Sequence, residues 1–560
     1  MEPSLQTETP GTPLSEGLRR LILIELLVPS VLLVFGIYHG FLQTLYRAGI
    51  IRAESFLGIE YYQGLTIHGV VNALAYTTLF AVAFGNALVA RFLEREPGAA
   101  LAWISALLML LGTGLAAYAM FSGQASVLYT FYPPLMAKPA FYIGAAGLVI
   151  GSWIGFFNWI PAYLAWRKEN PERKTPLAIV GIFAAFIVWM IATLPLAYEV
   201  LVLLIPWSMG WVREINVLLA RTLFWFFGHP LVYFWLLPTY VMYYVMLPRI
   251  AGGKLYSDLA GRLVFMLFIV LSAPVGVHHQ FGDPGIGVSW KWLQTILTFG
   301  VALPSFVTAF TLAASLEYAA HQNGGRGLFA WWRHLPYWDR ERWLFGYFFV
   351  GLVLFVFGGI TGVINASFSV NNVVHNTSWL PGHFHMTVGG PVFLAFTGMT
   401  LHMVSKLTGK PVRLRSLNVA VPYLWLLGIA LFSTALSING IDGEPRRTNL
   451  GLSYTNPNSD LFVAEWLPLA RLTAVGGGVM ALSMLAYFGV LFTTLFSRRT
   501  TEPVLEFPEA EAYHDEDAGF VRDFRPWVIV AVLLCFVAYA PALYDVSRAT
   551  FFGSPGYEPD

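Results

Sequence analysis

Thirteen long apolar stretches divide this chain, and each is long enough to cross a bilayer. They occupy residues 19–46, 62–91, 101–121, 139–166, 176–205, 218–248, 261–281, 291–319, 344–365, 379–407, 417–438, 466–496 and 526–546. A helix needs roughly 20 apolar residues to span the hydrocarbon core. The runs are continuous and do not alternate with period two, which selects helices over barrel strands. Only 12% of the 560 residues are charged, against about 25% in soluble domains. The expected fold is an all-α integral membrane protein, a bundle of about 13 transmembrane helices.

Lys and Arg placement sets the expected orientation. With the N-terminus in the cytoplasm, about two-thirds of the 33 basic residues fall on the inner side, among them Arg19, Arg20, Arg167, Lys168, Arg498 and Arg499. An odd number of spans then puts the C-terminus outside. The expected organisation is a cytoplasmic segment 1–18, a membrane domain 19–546 and an external tail 547–560. No basic stretch with a short apolar core opens the chain, so no cleaved signal peptide is expected. The net charge of +1 suggests no nucleic-acid partner, and membrane lipid is the expected surrounding. The single cysteine, Cys535, excludes an intrachain disulfide and a Cys-x-x-Cys-His haem attachment site.

Six histidines inside the apolar stretches are spaced as a metal centre would need: His68, His229, His278, His279, His383 and His385. An ionisable side chain in hydrocarbon is costly and marks function by default, and imidazole is the commonest metal ligand. The expected topology puts all six in the outer half of the bilayer, within about 10 Å of one plane at 1.5 Å per residue. His383 and His385 point about 200° apart on a helix. They cannot share a metal, but each can ligate one on opposite faces, as two planar cofactors flanking the helix would require. His68 can supply the second axial ligand to one of them. His278 and His279 are adjacent, so converging on one ion needs a loosened helix, which Pro274, Gly276 and Asp283-Pro284-Gly285 permit. His229 can complete a three-histidine site with an open position. Tyr233, four residues after His229, shares its helical face, where a phenol can give a proton and an electron.

Four motifs carry a resemblance to the haem–copper oxygen reductases. They are Trp225-Phe-Phe-Gly-His-Pro-Leu-Val-Tyr233, the pair His278-His279, Pro381-Gly-His-Phe-His385 and Gln63-Gly-Leu-Thr-Ile-His68-Gly69. Val127-Leu-Tyr-Thr-Phe-Tyr-Pro-Pro134, Gly252-Gly-Lys254 and Asn365-Ala-Ser-Phe368 resemble catalytic subunit I of the B-type cytochrome c oxidases. The resemblance implies two haems, a low-spin b-type and a high-spin a-type, and one copper ion. It implies His68 and His385 as axial ligands of the low-spin haem and His383 as ligand of the high-spin haem. It implies His229, His278 and His279 as copper ligands, and Tyr233 as the catalytic tyrosine that this family cross-links to the first copper histidine. Arg446 and Arg447 resemble the pair that holds haem propionates, a role suited to bidentate guanidinium.

The chain departs from the A-type pattern at Leu231, where those oxidases carry a proton-delivering glutamate. What remains is a hydroxyl ladder. Tyr233, Tyr240 and Tyr244 share one helical face, and so roughly do Ser305, Thr308 and Thr311. These match the single proton channel of B-type enzymes. His375 and Asn376 resemble the region above the propionates where protons are held before release. Closely similar oxidases have an acidic residue where this chain has Asn371.

The resemblance therefore implies a terminal respiratory oxidase that reduces dioxygen to water, with proton uptake from the cytoplasm and proton pumping, in a prokaryotic plasma membrane. Electrons must enter through partners, because the chain has no CxxxC copper motif. The expected partners are a second subunit with a dinuclear copper site, a small third helical subunit, and a cytochrome c or cupredoxin donor. One alternative is a nitric oxide reductase on the same scaffold, which uses non-haem iron and lacks the tyrosine; Tyr233 argues against it. Another is a non-catalytic haem electron carrier, in which the three-histidine site would have no purpose.

Overall fold

A computed structural model describes residues 11–51, 59–448, 454–549 and 552–558. Residues 1–10 of the expected N-terminal segment, and 550, 551, 559 and 560 of the expected tail, lie outside the described residues.

Among the described residues, thirteen helical spans are long and apolar enough to cross a membrane. They are Glu16–Arg47, Tyr61–Phe92, Ala99–Phe121, Pro139–Glu169, Leu177–Ser208, Val217–Val245, Asp258–Gln280, Val288–Gln322, Leu344–Ala366, Trp379–Thr408, Arg415–Ile441, Ala464–Leu495 and Arg525–Arg548. Each coincides with one of the thirteen apolar stretches, with ends that differ by at most three residues. Hydrocarbon offers no partner for a backbone N–H or C=O, so an apolar run of this length must close its hydrogen bonds on itself.

Three spans begin at a polar side-chain cap. Ser15 accepts from the Leu18 N–H, Asn216 from Leu219 and Ser257 from Ala260. Glycines let neighbours approach closely. A Cβ at Gly112 of the third span would sit 2.6 Å from the Gly144 carbonyl of the fourth.

The chain ends pair with loops on opposite faces of the bundle. Thr12 bridges Leu505, in the connection before the last span. Ile215 and Asn216 pair with Ser554 and Gly553 near the C-terminus, and Leu135 bridges Tyr557.

Four spans are interrupted, all at the level of the histidines. The sixth breaks at His229, because Pro230 has no N–H to donate. The seventh ends its α-helix at Ser272 and resumes as a 3₁₀ turn, Val277–Gln280. The eighth breaks at Val301, and the tenth between Thr387 and Pro391. The second span continues through a wider π-helical stretch, Val71–Ala75, directly after His68.

Candidate metal centre

The interrupted spans line one large cavity of about 570 Å3, and the six histidines singled out in the sequence, His68, His229, His278, His279, His383 and His385, all face it. Three sub-sites can be separated within it.

His68 and His385 face each other from the second and tenth spans. Their ring centroids are 5.9 Å apart and their planes 11° from parallel. His68 Nδ1–H donates to the Gly36 carbonyl at 2.8 Å, and His385 Nδ1–H donates to the Pro381 carbonyl at 2.7 Å. Each ring therefore keeps Nε2 free as a ligand atom. A metal–nitrogen bond of about 2 Å on each side matches this spacing. Gly40 lets the first span close over the pair, since a Cβ there would lie 2.4 Å from His68 Nδ1.

His383 turns instead toward the ninth span. Its Nδ1–H donates to the Thr361 hydroxyl at 2.8 Å, and that hydroxyl donates on to the Gly358 carbonyl at 2.7 Å. Nε2 is again left for a metal. A Cβ at Gly362 would stand 3.2 Å from His383 Cε1.

The third sub-site holds His229, His278 and His279. One ligand atom from each lies within 4.8 Å of the others. His229 Nδ1 faces His279 Nε2 at 3.1 Å. His278 Nδ1–H donates to the Thr298 hydroxyl at 3.0 Å, which donates to the Gln294 carbonyl. Trp225 lies flat on His279, with centroids 3.9 Å apart and planes 8° from parallel. The irregular segment before the pair is held by one side chain. Gln294 accepts from the Gly276 and Val277 N–H groups and donates to the Pro274 carbonyl. On the other edge of His229, Nε2 is 3.0 Å from the Tyr233 hydroxyl. Three converging imidazoles, with the outer nitrogens of His229 and His278 held by hydroxyls, suit a copper or zinc-like ion and leave one position open.

Arg446 and Arg447 line the same cavity. Arg446 Nη2 donates to Asn376 Oδ1 at 3.0 Å and Arg447 Nη1 to the Tyr132 hydroxyl at 3.1 Å. Arg446 Nε is buried with no protein acceptor. Burial and the neighbouring Arg447 push the Arg446 guanidinium down to about 10. Burial raises the Tyr132 phenol, but Arg447, Arg221 and Arg446 together bring it down to about 8. Arg221 has its own partner, a bidentate bond to Asp283 at 2.9 and 3.0 Å. The site is thus short of negative charge, and an unpaired donor in a cationic cleft fits the carboxylates of a haem edge. His375 Nδ1 meets Asn371 Oδ1 at 3.1 Å, and burial together with Arg446 lowers its basicity.

The hydroxyl residues come together in part. The Tyr244 hydroxyl donates to Thr308 Oγ1 at 2.9 Å. Tyr240 lies within reach of Ser305 and Thr308 but lacks a partner in good hydrogen-bond geometry. Thr311 is buried one turn further along, where its carbonyl accepts from the Ser315 hydroxyl. Phe268 packs against both Tyr233 and Tyr240, at 5.4 and 5.5 Å between centroids.

Sequence reasoning missed Thr298, Thr361, Gln294, Trp225, Tyr132 and the Arg221–Asp283 pair. The last carried a signal, since Arg221 is a charge inside an apolar run and Asp283 lies just past the end of another. Tyr132 is a loop residue and the rest are ordinary helix residues until their neighbours are known.

The profile of the family "Cytochrome C and Quinol oxidase polypeptide I" matches residues 20–506. The chain is 42% identical over 495 residues to the cytochrome c oxidase subunit 1 of Thermus thermophilus, covering 87% of this chain and 86% of that protein. It is 28% identical over 494 residues to the haem–copper oxidase subunit I+III of Aeropyrum pernix, covering 83% and 56%. A solved structure described as a haem–copper terminal oxidase dimer is 53% identical, with a TM-score of 0.95 over 97% of this chain and 95% of that one.

Proposed function

The chain belongs to the cytochrome c and quinol oxidase polypeptide I family, and from that premise we propose that it is the catalytic subunit of a B-type cytochrome c oxidase. It is a terminal oxidase, an oxidoreductase and a multi-pass membrane protein. The family implies haem and copper, and a subunit I works within a complex of subunits.

The finer assignment follows the three sub-sites. His68 and His385 hold a low-spin b-type haem, His383 holds a high-spin a-type haem, and His229, His278 and His279 hold one copper. When bound, these groups supply the electron transfer and the dioxygen reduction; the protein supplies position and protons. Four electrons and four protons convert one dioxygen to two waters. Thr361 and Thr298 fix the tautomers of His383 and His278, so that each presents Nε2 to the cavity. Tyr233, hydrogen-bonded to His229, stands where a phenolic proton can be given up. Arg446 and Arg447 neutralise the haem carboxylates. The hydroxyls of Tyr244, Tyr240, Thr311, Thr308 and Ser305 lead protons from the N-terminal face, which the excess of Lys and Arg makes the cytoplasmic one. His375 and Asn376 lie toward the exit side, beside Arg446, and part of the redox energy drives proton pumping there.

The partners that suit this reading are a second subunit with a dinuclear copper site, a small third helical subunit, and a cytochrome c or cupredoxin. The membrane is a prokaryotic plasma membrane. The observation that carries the reading is the three-histidine cluster sharing one cavity with His383. Metal and haem analysis of the purified protein tests it. One copper and two haem irons per chain are expected, with one haem binding carbon monoxide when reduced. A preparation with full oxidase turnover and no copper would overturn it.

A further inference from the structure

His68 carries one polar contact that His385 lacks. Both rings commit Nδ1–H to a backbone carbonyl, Gly36 for His68 and Pro381 for His385. At His68 the carboxamide nitrogen of Asn72 also lies 3.1 Å from Nδ1. A ring nitrogen that is donating to a carbonyl has no lone pair for an amide N–H. The other end of the same amide, Asn72 Oδ1, is buried with no partner. A half-turn of the amide exchanges its oxygen and nitrogen. In that orientation Oδ1 accepts from His68 Nδ1–H, and the clash of an amide nitrogen with a donating ring nitrogen is removed.

The local fold is built around this contact. Asn72 is four residues after His68, within the π-helical stretch Val71–Ala75, and such turns concentrate at functional sites. Across from it, Gly36 leaves the space that the amide fills. A Cβ there would lie 2.0 Å from Asn72 Oδ1.

We propose that Asn72 is a positioning residue for the low-spin haem, sharing the His68 Nδ1–H with the Gly36 carbonyl and making His68 the more basic of the two axial imidazoles. The inference rests on the reading that His68 and His385 hold that haem. Two acceptors on one N–H draw the proton away from the ring and strengthen Nε2 as a ligand. A stronger axial donor favours the oxidised iron and lowers the midpoint potential.

Redox titration of the low-spin haem in the assembled oxidase tests this. Asn72→Leu keeps the branched shape and removes the acceptor, so the midpoint should move upward. Gly36→Ala leaves the Asn72 chemistry intact but drives a methyl group into the amide, and should move it the same way. Electron–nuclear double resonance on the oxidised wild type should resolve two inequivalent axial Nδ1 protons, converging in either variant. An unmoved midpoint in both variants, or equivalent protons in the wild type, overturns the proposal. If Asn72→Leu does not take up haem, the wild-type spectrum and Gly36→Ala decide. A wild type with no bis-histidine low-spin signal instead refutes the haem assignment itself.

Discussion

The Tyr233 hydroxyl lies 3.0 Å from His229 Nε2, while the other ring nitrogen of His229 faces His279 at 3.1 Å. One imidazole thus joins the candidate copper position to a phenol. Tyr233→Phe keeps the ring and its packing against Phe268 but removes the hydroxyl. Dioxygen reduction should fall by about 100-fold or more, the scale of a lost proton donor, with normal metal content. Peptide mapping of the active enzyme should find His229 and Tyr233 covalently joined. An unmodified peptide with full turnover would contradict the assignment.

His383 and His385 are bonded on different sides, one to Thr361 of the ninth span and one to its own helix at Pro381. His383→Ala should abolish carbon monoxide binding to the reduced protein and leave the low-spin spectrum. His385→Ala should do the reverse. Optical difference spectra read both, and carbon monoxide binding retained in folded His383→Ala would sink the assignment.

Thr298 orients His278 through a single hydroxyl. Thr298→Val keeps the volume and loses that bond, and copper affinity should drop 10–100-fold, the usual range for an outer-shell partner. His278→Ala or His279→Ala should lose copper altogether while both haems remain. Copper titration of depleted protein measures the series. An affinity unchanged in Thr298→Val means that the hydroxyl is only helix packing.

The Tyr244–Thr308 bond is the firmest link in the hydroxyl ladder. Thr308→Val deletes it without opening a cavity. Flow-flash kinetics should show rapid electron entry into the low-spin haem but proton uptake slowed at least several-fold, with unchanged haem spectra. The Tyr240 hydroxyl has no protein partner in hydrogen-bond geometry, so the upper part of the route requires water. Wild-type proton uptake in the variant would mean that protons enter elsewhere.

The thirteen spans were legible because hydrocarbon leaves an apolar run of sufficient length no alternative to the helix. The break in the seventh span was legible too, around Pro274 and Gly276, since proline removes a donor whatever surrounds it. Six intramembrane histidines in recognisable motifs were enough to point to the family. Hydropathy, however, says that a helix lies in the membrane and not how it is rotated about its axis. Which ring nitrogen of each histidine is free therefore depends on partners that no local pattern announces. Thr298 stands 20 residues from His278, Gly36 stands 32 from His68, and Tyr132 stands 315 from Arg447. Only the packing of the bundle brings them together. The same packing set Phe268 against two tyrosines that share a helical face. These contacts join separate helices at close range, and their energies belong to the assembled bundle and not to any one segment.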